Sequence, residues 1–233
     1  MALPVLETPT FNLTFPGTNE TYKFRPFKVK EEKLLTMASD GEYEDMLNVC
    51  QQVVTNCSFG EVDATKLPMH LLQWTFLQIR KESVGNKQEF MLICGHCKGT
   101  MSYEVEVDEF KINNLDSDTS KTIFLNEDKT VGMVLKFPPA HIMNKLDDLD
   151  DVEILKHCID TVFDAEQSWD VSKETDDEVV GFVETLPLEA LAETREFFKT
   201  MPMLEHIVEY TCPKEDCGKP NAVSINGYEH FFA

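Results

Sequence analysis

Two short cysteine pairs constrain this chain more than any other feature: Cys94-Gly95-His96-Cys97 and Cys212-Pro213-Lys214-Glu215-Asp216-Cys217. Each follows an apolar run, Phe90-Met91-Leu92-Ile93 before the first and Ile207-Val208-Glu209-Tyr210 before the second. Each precedes a Lys-Gly or Gly-Lys step and a further alternating stretch. Four thiolates on two tight turns are the donor set that closes a tetrahedral Zn²⁺ shell. The chain is therefore expected to be a duplicated protein pinned by a structural zinc rather than an enzyme.

The duplication extends beyond the cysteines. Lys23-Phe24-Arg25-Pro26-Phe27 recurs as Lys136-Phe137-Pro138-Pro139, and both follow an expected hairpin, Phe11 to Phe24 and Thr122 to Phe137. Short helices are expected next, over Val29–Ala38 and Ala140–Leu146. Apolar spacing of three and four then marks Met46–Val54 and Ile154–Val162 as amphipathic helices. Leu67-Pro68 and Leu186-Pro187 each open a helix, because proline in a first turn lacks only an N–H that would have no partner there. The first of these should bury Leu71, Leu72, Phe76 and Ile79, the second Leu188, Leu191, Phe197 and Phe198. Strands flank the cysteine turns, with Met101–Val107 and Ala222–Ile225 on the far sides, and Phe110 corresponds to Tyr228. Landmarks keep their order at nearly constant offsets. The first half carries extra residues around Asp40 to Asp45, and the second around Ala165 to Glu184. The fold expected is α+β, with a repeat half over residues 1–114 and another over 115–233, two pseudo-symmetric halves joined by a shared zinc ribbon.

Size and charge narrow the function. At 233 residues and 42% apolar content the chain can bury a sizeable core. No stretch approaches the roughly 18–20 apolar residues of a membrane span, and Met1 to Glu7 lacks a signal-peptide pattern, so synthesis in the cytosol without export is expected. Seven cysteines in such a chain argue against a disulfide framework; Cys50, Cys57 and Cys158 are expected as buried small apolar side chains. The sequons at Asn12, Asn19 and Asn56 then carry no weight. A net charge of −21 repels phosphate backbones and anionic lipid, arguing against nucleic-acid and membrane binding. Acid is densest at Asp147 to Glu153 and Glu174 to Glu178, where solvated helix starts are expected.

Cys94-Gly95-His96-Cys97-Lys98 also resembles the redox site of protein disulfide isomerases, which leaves a thiol-disulfide oxidoreductase through Cys94 and Cys97 as the alternative of another class. In that chemistry a helix following the first cysteine lowers its pKa; here Gly99-Thr100 and a strand follow, and no tryptophan precedes. The metal reading has two versions. Cys94, Cys97, Cys212 and Cys217 share one ion, or each pair binds separately with His96, His206 or His230. The former is simpler. His70, His141 and His157 show no ligand spacing, and no phosphate loop or hydrolase motif is present.

The stretch Leu3 to Pro9, followed by Lys23-Phe24-Arg25-Pro26-Phe27-Lys28-Val29-Lys30-Glu31-Glu32-Lys33-Leu34-Leu35, resembles the T4-type bacteriophage baseplate hub assembly protein family. The likeness continues through Asn56-Cys57-Ser58-Phe59-Gly60, Leu67-Pro68 and Ser83-Val84-Gly85 to the first cysteine turn. It implies a hub assembly factor, chaperone-like and non-catalytic, that binds other phage tail or baseplate hub proteins in the host bacterial cytoplasm. The alternative is a permanent hub subunit retained in the virion. Physically, Phe24 and Phe27 flank a strand exit, while Leu34, Leu35 and Met37 are expected to pack inward. Structural duty accounts for much of this segment. The functional reading makes Phe24, Arg25, Phe27, Lys28, Lys30 and Lys33 a partner surface, basic exceptions in an acidic chain.

Overall fold

The structure is a computed structural model that describes residues 7–18, 20–38, 43–143 and 149–226. The chain forms two compact units. One gathers the described residues up to Asn113 and those from Met203 onward; the other is Asn114–Pro202. The cut after Asn113 lies beside the expected repeat boundary. The C-terminal cysteine hairpin, however, belongs to the first unit.

The first unit opens with a hairpin of β1 (Phe11–Thr14) and β2 (Thr21–Phe24), in which Phe11 faces Phe24 and their rings stack at 6.2 Å. Three helices follow: α1 (Val29–Ala38), α2 (Tyr43–Cys57) and α3 (Met69–Val84). One face of α2 buries Cys50, Val53, Val54 and Cys57. The helix α3 begins directly after Pro68 and stops at Gly85, whose φ of +111° breaks the helical path. Its buried stripe holds Leu71, Leu72, Phe76 and Ile79, the spacing of a face that packs inward.

Two antiparallel ladders complete this unit. β3 (Lys87–Ile93) pairs along its length with β4 (Thr100–Glu106). Gln88, Phe90 and Leu92 point inward while Lys87, Glu89, Met91 and Ile93 point out, as the two-residue period of a strand requires. β5 (Lys111–Asn113) pairs with β10 (Met203–Thr211), which pairs in turn with β11 (Pro220–Asn226). Leu77 of α3 joins Phe90, Leu92, Val105, Phe110, Leu204, Val208 and Ile225 in one apolar core under both ladders. Burying a side chain of this size stabilises by about 1.5–3 kcal/mol.

In the second unit β6 (Ser120–Phe124), β7 (Gly132–Lys136), β8 (Ile159–Phe163) and β9 (Ser168–Asp170) form one antiparallel sheet in that order. Among the described residues of this unit four segments are α-helical: α4 (Ala140–Met143), α5 (Asp151–Cys158), α6 (Asp176–Val183) and α7 (Leu188–Phe198). Both acidic runs are helix starts. Asp150 accepts the N–H groups of Val152 and Glu153, and Thr175 and Glu178 cap α6 reciprocally. Asp147 and Asp148 lie outside the described residues.

Several expectations need correction. Ile159–Val162 is not helical: α5 ends at Cys158 and the chain turns directly into β8. The β-branched run Ile159, Thr161 and Val162 suits a pleated surface, and its pairing with β7 shifts register between Val134 and Leu135, where Asp160 of β8 is the extra residue. Leu188 is 81% exposed because it sits at the helix entrance, while Ala190, Thr194 and Phe197 take the inner positions. Met37 is likewise exposed, with Leu34 and Leu35 half-buried. Of the expected Ala140–Leu146 helix, Ala140–Met143 is helical and residues 144–146 lie outside the described residues, as do Leu3 to Leu6, Asp40 and Tyr228. Among the described residues, no helix is long and apolar enough to cross a membrane.

Candidate metal centre

The two cysteine turns are the tips of the ladders β3–β4 and β10–β11, and they meet within the first unit. Both are locked by the same backbone bonds. The Cys94 N–H donates to the Gly99 carbonyl at 2.9 Å, as the Cys212 N–H does to that of Lys219 at 2.9 Å. A one-turn bond follows in each: Lys98 N–H to Cys94 O at 3.0 Å and Gly218 N–H to Lys214 O at 3.1 Å. The residue after each second cysteine is left-handed, with φ +57° at Lys98 and +53° at Gly218. Glycine takes this conformation without strain, whereas lysine pays a small steric penalty. The longer second turn therefore keeps the closing geometry of the first and accommodates two more residues before it.

The four sulfurs converge. All lie within 4.8 Å of one another, with Cys94 and Cys217 at 3.9 Å and Cys97 and Cys212 at 3.7 Å. Cys94 and Cys212 are buried, Cys217 is half-buried and Cys97 is exposed. Such a cluster can hold one metal ion. The N–H of Cys97 does most to lower the Cys94 thiol to about 6; burial opposes it, and the His96 N–H and the Cys97 and Cys212 thiols assist. At Cys212 the Lys214 N–H favours the thiolate, yet burial and the three neighbouring sulfurs outweigh it and push the group up to about 12. The Cys94 thiol is thus acidified by turn amides, with no helix behind it. Burial, aided by charge at all four cysteines, raises the Tyr210 phenol.

Two supports were not apparent from the cysteine spacing. Asn221, on the strand after the second turn, accepts the Gly95 N–H of the first turn at 3.0 Å and so ties the two together. The Lys214 side chain lies across Gly99, where a Cβ would come within 2.7 Å of its Nζ. The Gly immediately beyond Cys97-Lys98 was the available signal for that close approach. His206 is engaged elsewhere, tilted against Phe110 at 5.6 Å with Glu109 at 3.8 Å. His96 is exposed, and His230 lies outside the described residues.

The second set of candidate residues divides. Phe24 is wholly buried and Arg25 is 4% exposed, so neither forms a surface; Arg25 is held by the buried Glu31. This corrects their assignment to partner contact. Phe27 is half-buried against Phe76 at 5.5 Å, and its N–H donates to Ser83 Oγ. Lys28, Lys30 and Lys33 are exposed. The remaining cysteines, Cys50, Cys57 and Cys158, are buried as expected, and burial pushes Cys57 and Cys158 up to about 12.

A family model described as T4 bacteriophage base plate protein matches residues 8–233 of the chain. No curated protein sequence and no solved structure matches it.

Proposed function

The chain belongs to the T4 bacteriophage base plate protein family, and from that premise we propose that it is a non-catalytic assembly factor of the tail baseplate hub. It binds another hub or tail protein in the host cytoplasm during morphogenesis, in a chaperone-like way, through a surface that includes Phe27, Lys28, Lys30 and Lys33. A family match over almost the whole chain is the observation that carries this reading.

The ribbon carries a structural zinc in this proposal, held by Cys94, Cys97, Cys212 and Cys217. Zn–S bonds of about 2.3 Å in a tetrahedron place sulfurs about 3.8 Å apart, which the separations of 3.7 and 3.9 Å support. A four-thiolate shell has no open position, so the ion contributes folding energy rather than catalysis. The order of elements supports duplication: hairpin, helices, a Pro-led helix and a cysteine ladder occur twice. The stretch β9–α6 falls in the second half's extra residues.

Quantifying the chain in purified virions against a hub subunit tests the transient role. Absence or a trace amount is expected; stoichiometric abundance would instead establish a permanent subunit.

A further inference from the structure

The second unit contains a cavity of about 440 Å³ that the baseplate reading does not use. Three aromatic side chains form its walls: Phe163 at the end of β8, Trp169 in β9 and Phe182 in α6. All three are half-buried, and Val179 beneath them is 7% exposed. Two of the three walls are packed against neighbouring residues without any ligand. Phe163 packs edge-on to Phe124 at 6.1 Å, and Trp169 is the cross-strand neighbour of Val162. A preformed apolar hollow of this size suits a single bulky side chain of a partner, the way interfaces seat their anchors.

The rim selects the partner's charge. Asp164, Glu174 and Glu178 border the hollow, and none has an ion pair with lysine or arginine among the described residues. The neighbouring cations are occupied elsewhere: Lys156 with Glu153 and Asp176, Lys173 with Asp170. Asp164 accepts the Glu166 and Gln167 N–H groups and Glu178 caps α6, but no cation among the described residues offsets the three carboxylates, and apolar walls beneath them complement an apolar anchor flanked by basic residues.

We propose that this cavity is a docking site for a segment of another protein. That segment inserts one aromatic or large aliphatic side chain between Phe163, Trp169 and Phe182, and sets lysine or arginine beside the three rim carboxylates. The site lies within the second unit alone, so it stands or falls independently of the ribbon's metal and of residence in the virion.

The chain has two tryptophans, so Trp74→Phe leaves Trp169 as the sole indole reporter. The probe is an acetylated, amidated Lys-Lys-Leu-Phe-Lys-Lys peptide, titrated into the full chain. A saturable change in Trp169 emission is expected. Binding should weaken about ten-fold or more when Leu-Phe is replaced by Gly-Ser, and similarly in Glu174→Lys, whose exposed side chain makes no hydrogen bond or ion pair among the described residues. No saturable change up to about 1 mM peptide would overturn the proposal. So would equal binding of the Gly-Ser peptide, which would show diffuse charge attraction. Two further results would also overturn it by naming a different occupant: equal binding of free indole with no response to Glu174→Lys, or concentration-dependent self-association that Glu174→Lys abolishes.

Discussion

Arg25 and Glu31 face each other as a two-bond fork inside the first unit, Nη2 to Oε1 at 2.9 Å and Nη1 to Oε2 at 3.1 Å. Glu31 Oε2 also accepts the Lys28 N–H at 2.9 Å, and Arg25 Nη1 donates to the Pro26 carbonyl. Burial opposes the Glu31 charge, but the bonds from Arg25 and Lys28 outweigh it and hold the carboxyl below its ordinary value. The pair thereby ties the exit of β2 to the first turn of α1.

Glu31→Gln leaves the guanidinium buried without its counter-charge. The expected cost is about 3–5 kcal/mol in urea unfolding at neutral pH. The double replacement Arg25→Met with Glu31→Leu should recover most of that loss, because neither charge then remains to be desolvated. Failure of the double variant to recover would show that the geometry of the fork matters more than its charges.

Cys97→Ser tests the ribbon with little steric disturbance, since this thiol is exposed. Metal analysis should show about one zinc per chain in the parent and well under half in the variant. Structural zinc contributes on the order of 10 kcal/mol in small metal peptides, so the melting temperature should fall sharply. A chelator added to the parent should give the same shift, and an unchanged melting curve after verified metal removal would argue against a structural ion.

Burial lowers His70 to about 4, from an ordinary value of about 6.5. Between these limits the unfolded chain takes up a proton that the folded chain excludes. Stability from this group is therefore full above about pH 6.5 and declines as pH falls toward 4. Unfolding free energies from urea titrations at pH 7 and pH 5 should differ by about 2 kcal/mol on this account. His70→Leu should flatten that difference.

Gly132 lies between Phe124 and Phe163 in the central strands of the second unit. A Cβ there would come 2.7 Å from the Ile123 carbonyl oxygen and 2.5 Å from Phe163 Cζ. The phenyl ring can shift, but the carbonyl belongs to the neighbouring strand. Gly132→Ala should cost about 1–3 kcal/mol and accelerate amide exchange in β6, β7 and β8.

Local chemistry made much of the fold legible. The mixed-charge run after Phe27 marks α1 at its observed bounds, Val29–Ala38. Pro68 and Pro187 stand immediately before α3 and α7, and the apolar spacing of α3 identifies its buried face. The cysteine turns identify their own ladders because thiol spacing and alternating strands coincide. What escaped depends on partners distant in sequence. Ile159-Asp160-Thr161-Val162 fits either period over four residues, and pairing with β7 decides it. β5 and β9 have three residues each, too few for a pattern. The basic character of Arg25 suggested a surface; only Glu31, brought round by one helical turn, reveals it as an interior group.

The first unit is assembled from two separated stretches of chain, with β10 and β11 arriving after the whole of Asn114–Pro202. On the ribosome, β5 must wait for β10, and Cys94 and Cys97 emerge long before Cys212 and Cys217. The intervening segment has all four strands of its own sheet in hand by then and can fold while the tunnel still holds its successor. A nascent chain stalled before Met203 would thus expose two unpaired thiols and an unfinished core, an interval in which chaperones and oxidants have their best access.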